Sequence, residues 1–125
     1  MMFTSLRKTA LAMVVGALGL TAVAAPAVSS TFYGWQVTNV PLHDTLNVRT
    51  GPSSGYAILV SYPNGTPLSL TGQCTGGVQL GHIAHWPKWK QRQAVRYKWC
   101  QLWLDPFGNG QYQPGWVYGR YIRPL

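Results

Sequence analysis

Residues 46–65 read LNVRTGPSSGYAILVSYPNG. Leu46 and Val48 fall on one side of an extended chain and Asn47 and Arg49 on the other, the period-two alternation of a half-buried strand. Gly51-Pro52-Ser53-Ser54-Gly55 interrupts it with an unbroken run of turn formers. Tyr56 to Tyr62 is a second β-rich run, and Pro63-Asn64-Gly65 ends it, where Asn-Gly suits a tight turn with positive φ. Strand, turn, strand, turn in so short a span points to a domain built from short antiparallel strands.

Working outward, Ser29 to Gly34 is small and polar and reads as a frayed leader into the domain. Trp35 to Val40 alternates and reads as a first strand; Pro41 to Thr45 is loop. Thr66 to Thr71 is a further strand with Leu68 and Leu70 inward, ending at the turn-rich Gly72-Gln73-Cys74-Thr75-Gly76-Gly77. Trp99 to Leu104, WCQLWL, alternates again. Asp105 to Gly115 reads as a long hairpin loop and Trp116-Val117-Tyr118 as a short strand. Gly119-Arg120-Tyr121 reads as a 3-10 turn, and Ile122-Arg123-Pro124 as an edge strand that tolerates its proline. The expected fold is mainly β, a small antiparallel barrel.

The segment between the last two groups of strands is of another kind. Val78 to Lys98 holds no turn cluster, and Pro87 suits the first turn of a helix. At 3.6 residues per turn Trp86, Trp89, Gln93 and Tyr97 share a face, with Ile83 and Ala94 beside them. Lys88, Arg92 and Arg96 share another. The spacing predicts one short amphipathic helix, Trp86 to Tyr97, docked through its aromatics.

Met1 to Ser5, then Arg7 and Lys8, then an apolar run from Thr9 to Ala25, precede two small-x-small sites, Ala22-Val23-Ala24 and Ala25-Pro26-Ala27. A basic start, an apolar middle and such a site read as a secretory signal peptide over residues 1–27, cleaved near Ala24 or Ala27. The run is short for a spanning helix, and no cysteine lies near the site to carry a lipid. The mature chain, 28–125, is then a single domain, periplasmic or secreted. Of ten basic residues, eight remain after Arg7 and Lys8 are removed, against Asp44 and Asp105, a formal charge of +6. Export to an oxidising compartment and an even count make Cys74 and Cys100 a disulfide. Closing that loop is worth roughly 3–3.5 kcal/mol in the chain-entropy model.

Asn47-Val48-Arg49-Thr50-Gly51-Pro52, a short gap, an aliphatic run and Asn64-Gly65-Thr66-Pro67 resemble the opening half of a bacterial SH3 (SH3b) domain. Trp99-Cys100-Gln101-Leu102, a loop, and Gly115-Trp116-Val117-Tyr118-Gly119-Arg120-Tyr121-Ile122 are similar to that family's W-x-x-V … G-W-V-x-x-x-Y-L ending. The likeness covers 35–74 and 99–125; the insertion at about 75–98 and the paired cysteines bracketing it are departures. It implies an SH3-like barrel that binds peptide or peptidoglycan without catalysis. It also implies that Trp99 and Tyr121, with Tyr118 nearby, line the ligand groove. The insertion either covers Trp99 or walls the groove and presents Arg92 and Arg96 to a carboxylate.

Little in the sequence suits catalysis. Cysteines engaged with each other supply no nucleophile, and nothing brings Asp44 and Asp105 together as a carboxylate pair. His82 and His85 sit at helical spacing and His43 beside Asp44, but a closed zinc site needs four ligands. No enzyme activity, metal or cofactor is expected. Lys88, Lys90, Arg92, Arg96 and Lys98 concentrate the charge in one segment. Interleaved with aromatics they would suit nucleic acid, but an exported protein meets the envelope first. The expected partners are peptidoglycan or an envelope peptide or protein, with an anionic surface as another reachable anion. The alternative function is a periplasmic interaction or inhibitor protein whose basic helix docks an acidic partner. Six tryptophans and seven tyrosines exceed what one small core uses. Trp35, Trp116 and Trp103 are expected inside or at the barrel ends, which leaves other rings for a ligand. A monomer is expected.

Overall fold

A computed structural model of the chain describes residues 32–125. The expected leader, 1–27, and the domain start at 28 lie outside the described residues. Seven strands make one antiparallel sheet: β1 (Tyr33–Val37), β2 (Leu46–Arg49), β3 (Ile58–Tyr62), β4 (Pro67–Cys74), β5 (Trp99–Leu104), β6 (Gln113–Tyr118) and β7 (Ile122–Pro124). Their order is β3-β2-β6-β5-β4-β1-β7. The expected mainly-β antiparallel fold is the one found. Among the described residues no ladder joins β3 to β7, so the hydrogen-bonded run of strands has two ends.

Strand bounds agree with expectation at β2 and β5, where buried and more exposed residues alternate along the strand. β1 does not: it starts at Tyr33, within the stretch read as a frayed leader, and stops at Val37. Tyr33 and Gly34 pair with Leu70 and Ser69 of β4. The partner strand thus orders a segment whose own sequence is noncommittal. The strand stops three residues short of the expected end at Val40, and Asn39, with φ 63°, breaks the extension there.

Leu46, Val48, Leu68, Leu70, Leu102, Leu104, Val117 and Ile122 are buried in one apolar cluster around Trp35, itself only 2% exposed. Burying each such side chain stabilises the fold by about 1.5–3 kcal/mol. Two other tryptophans are not where the sequence placed them. Trp116 pairs across the sheet with Gln101 and Arg49, and Trp103 with Pro114. They share the outer face, so Trp116 is half-buried and Trp103 is 39% exposed. Their inward neighbours are Gly115 and Val117.

The insertion carries two short helices, α1 (Leu80–Ile83) and α2 (Lys88–Val95), after a 3-10 turn at Thr75–Gly77. Pro87 caps α2 with φ −54° and ψ 147°. Leu80, Ile83 and Val95 join the main cluster, so the insertion completes the core. The expected docking face is corrected in part: Trp86 and Ala94 do pack against the main cluster, but Trp89 and Tyr97 do not. Gln91 and Val95, one turn apart, are the buried residues of α2, while Trp89 is 62% and Tyr97 71% exposed. A buried glutamine is tolerated because its Nε2 donates to the Trp86 carbonyl at 2.8 Å and the Ala84 carbonyl at 3.3 Å. That amide ties α2 to the segment leaving α1. Lys90 lies over the Trp86 ring, 4.6 Å from its centroid.

Cys74 and Cys100 are opposed on β4 and β5, are both buried, and form the disulfide. Between Leu70↔Leu102 and Cys74↔Cys100, β4 spends more residues than β5, and this bulge contains Gly72 with φ +106°. A β-carbon at Gly72 would lie 2.8 Å from the Tyr33 ring, so both backbone and space demand glycine.

A candidate ligand groove

Trp99 opens β5 and Tyr118 closes β6, and the register sets them opposite each other. Their ring centroids are 5.3 Å apart and tilted, a favourable aromatic geometry. Thr75 Oγ1 accepts the Trp99 N–H at 2.9 Å, which holds the strand's first residue against the disulfide-bracketed turn. The chain then makes a 3-10 turn, Gly119–Tyr121, and brings Tyr121 to 6.3 Å from Tyr118. These three half-buried rings form the floor of an open cleft of about 550 Å³.

One wall is the β1–β2 loop, with Val40, Pro41, Asp44 and Thr45 on the cleft. It is anchored at its root. Asn64 Oδ1 accepts the Val40 N–H at 3.0 Å, and Asn64 Nδ2 donates to the Val40 carbonyl at 2.8 Å. The asparagine read as a turn residue therefore also pins the groove wall. Asp44 Oδ1 accepts the Thr45 N–H at 2.8 Å, which orients the carboxylate. The other wall is Arg49 with Ser53 and Ser54. Arg49 Nη1 donates to the Tyr56 carbonyl at 3.0 Å, and the Tyr56 ring closes over Gly51, where a β-carbon would lie 2.5 Å from it. The run of turn formers thus becomes a folded loop held over the cleft. The result is an aromatic floor with an anionic group on one wall and a cationic group on the other. Such a site suits an extended ligand that carries both charges.

Of the residues expected to bind, the structure brings Trp99, Tyr118 and Tyr121 together. Arg92 and Arg96 are elsewhere: they line a second cleft, of about 210 Å³, with Arg120, Asn39, Trp89, Gln93, Gly119 and Ile122. No residue of the insertion lines the aromatic cleft. α2 instead packs on β7 and the 3-10 turn, so it neither covers Trp99 nor walls that groove. The turn separates the two clefts, giving Tyr121 to one and Arg120 to the other. Sequence reasoning missed Asp44 and Arg49 as groove residues. Arg49 alternates outward on β2, a signal that could have found it; Asp44 sits in a loop whose path no periodicity reveals.

Asp105 stands apart from both clefts, accepting the Asn109 and Gly110 N–H groups at 3.1 and 2.9 Å in the β5–β6 loop. Among the described residues no three His, Cys, Asp or Glu side chains gather as metal ligands. None of their helices is long and apolar enough to cross a membrane. Burial pushes the Tyr62 phenol above its usual value. In comparisons with known proteins, no family model, no curated sequence and no solved structure matches this chain.

Proposed function

We propose that this chain is an exported, non-catalytic binding module of SH3b type that holds an extended cell-wall peptide in its aromatic cleft. One observation carries the reading: Trp99, Tyr118 and Tyr121 converge, half-buried and open, between Asp44 and Arg49. Rigid flat rings contact peptide or sugar with little loss of rotamer freedom. The stem peptides of peptidoglycan carry free amines and carboxylates, which complement Asp44 and Arg49. Two supports are indirect. The Asn-Val-Arg-x-Gly-Pro and Gly-Trp-Val segments both fall on the cleft walls or on the strands behind them. The disulfide suits an oxidising compartment.

Purified sacculi test the reading. The protein should co-sediment with them, and Trp99→Ala or Tyr121→Ala should reduce the bound fraction about tenfold or more, as expected for loss of a central aromatic anchor. Equal retention of a charge-matched basic protein, or full retention of both variants, contradicts it.

A further inference from the structure

The second cleft is defined by its cations. Arg92 on α2 and Arg96, the residue that caps its C-terminal end, stand one turn apart, and Arg120 reaches the same cleft from the 3-10 turn. This convergence is built into the packing. Gly119 N–H donates to the Lys98 carbonyl at 2.7 Å, and a β-carbon at Gly119 would overlap the Val95 carbonyl. Only glycine lets the turn tuck under the end of α2, and that tuck aims Arg120 across at the helix arginines. Two of the three guanidiniums lie near rings, Arg96 by Tyr97 at 5.8 Å and Arg120 by Tyr121 at 6.0 Å.

Neither carboxylate side chain among the described residues neutralises them. Asp44 is on the aromatic cleft and Asp105 holds the β5–β6 loop. Three like charges on one small concavity repel each other, and a multiply charged anion relieves that repulsion. Guanidinium is also the planar, forked donor that matches a tetrahedral oxyanion. The amides of Asn39 and Gln93 add neutral donors, and exposed Trp89 gives the rim a flat apolar face.

We propose that this cleft is a phosphate site, distinct from the peptide groove, which takes a phosphate group carried on a small organic body. At about 210 Å³ it has room for the phosphate and the first atoms of its ester. Trp89 is the one aromatic residue among the described residues that line the cleft. A soluble phosphate ester and a lipid headgroup both present this chemistry.

The test uses ¹⁵N-labelled protein at constant ionic strength, titrated in parallel with inorganic phosphate and with acetate. Phosphate should shift the amides of Gly119 and Arg120 and the Nε–H groups of Arg92 and Arg96 saturably, and acetate should not. Arg96→Gln and Arg120→Gln should each weaken phosphate binding about tenfold, the loss of one charge-assisted contact. Lys90→Gln, which removes the same charge outside the cleft, should change it little, and so should Trp99→Ala. Flotation with phosphatidylglycerol–phosphatidylcholine vesicles separates the sources. Vesicle binding lost in Arg120→Gln assigns a lipid headgroup; phosphate binding without vesicle binding assigns a soluble ester. Equal response to acetate, or equal weakening by Lys90→Gln and Arg120→Gln, overturns the proposal in favour of an unspecific basic surface.

Discussion

A β-carbon at Gly119 would overlap the Val95 carbonyl and lie 3.0 Å from that of Lys98. Both obstacles are backbone, so neither can swing aside as a side chain would. Gly119→Ala should therefore destabilise the protein by about 3 kcal/mol, the upper end of ordinary overpacking, as read from urea unfolding. Unchanged stability would mean that the 3-10 turn and α2 are not packed as described. Tyr62 gives a prediction of another kind. Burial disfavours its phenolate, so the folded state holds the proton more tightly than the unfolded chain. Its contribution is fully present below the ordinary tyrosine value of about 10 and is lost as pH rises through the folded value above it. Unfolding midpoints should fall between neutral and strongly alkaline pH, and Tyr62→Phe should flatten part of that fall. An identical slope in Tyr62→Phe would contradict the assignment.

At the scale of elements, α2 separates what sequence patterning can and cannot tell. Its existence was legible from Pro87 and from residues without turn signals. Its docking face was not, because the aromatic stripe is the more apolar one and a glutamine lies on the stripe that packs. Gln91 becomes acceptable inside only because the Ala84 and Trp86 carbonyls are within its reach, a fact of tertiary position. The consequence is measurable. Val95→Ala should lower stability by about 2 kcal/mol, as for loss of buried methyl groups. Trp89→Ala, exposed at the second cleft, should change it by less than about 0.5 kcal/mol. The reverse ranking would restore docking through the aromatics. The strands show the same division. The bounds of β5 match the expected Trp99 to Leu104, a β-rich run ended by the turn formers from Asp105, and burial alternates along it. The start of β1 was not, since Tyr33 and Gly34 owe their extension to β4. Trp103 and Trp116, expected inside or at the barrel ends, lie by their register on the outer face with Gln101 and Arg49.

At the scale of the whole molecule, the antiparallel architecture follows from short alternating runs punctuated by glycine, proline and asparagine. The disulfide follows from a single pair of cysteines. The aromatic floor was legible residue by residue, but its charged walls were not, because Asp44 and Arg49 come to the same cleft as the rings only through the fold of the β1–β2 loop and the β2–β6 pairing. The basic cluster was legible as charge and not as shape. Arg92 and Arg96 acquire a cleft only when Arg120, distant in sequence, arrives beneath α2. The molecule thus presents two differently lined clefts on either side of one 3-10 turn. It carries a net positive charge on which its two carboxylates are spent locally. Long-range attraction to any anionic polymer or surface should accordingly weaken with salt, while ring stacking in the groove should not.

The aromatic cleft is the proposed ligand site. Soluble muropeptides titrated into ¹⁵N-labelled protein at moderate salt test it most directly. Saturable shifts of the Trp99 indole N–H and of the amides of Asp44, Arg49, Tyr118 and Tyr121 are expected, abolished in Trp99→Ala. Shifts confined to residues away from those walls, or none at muropeptide concentrations that saturate a millimolar site, would contradict it.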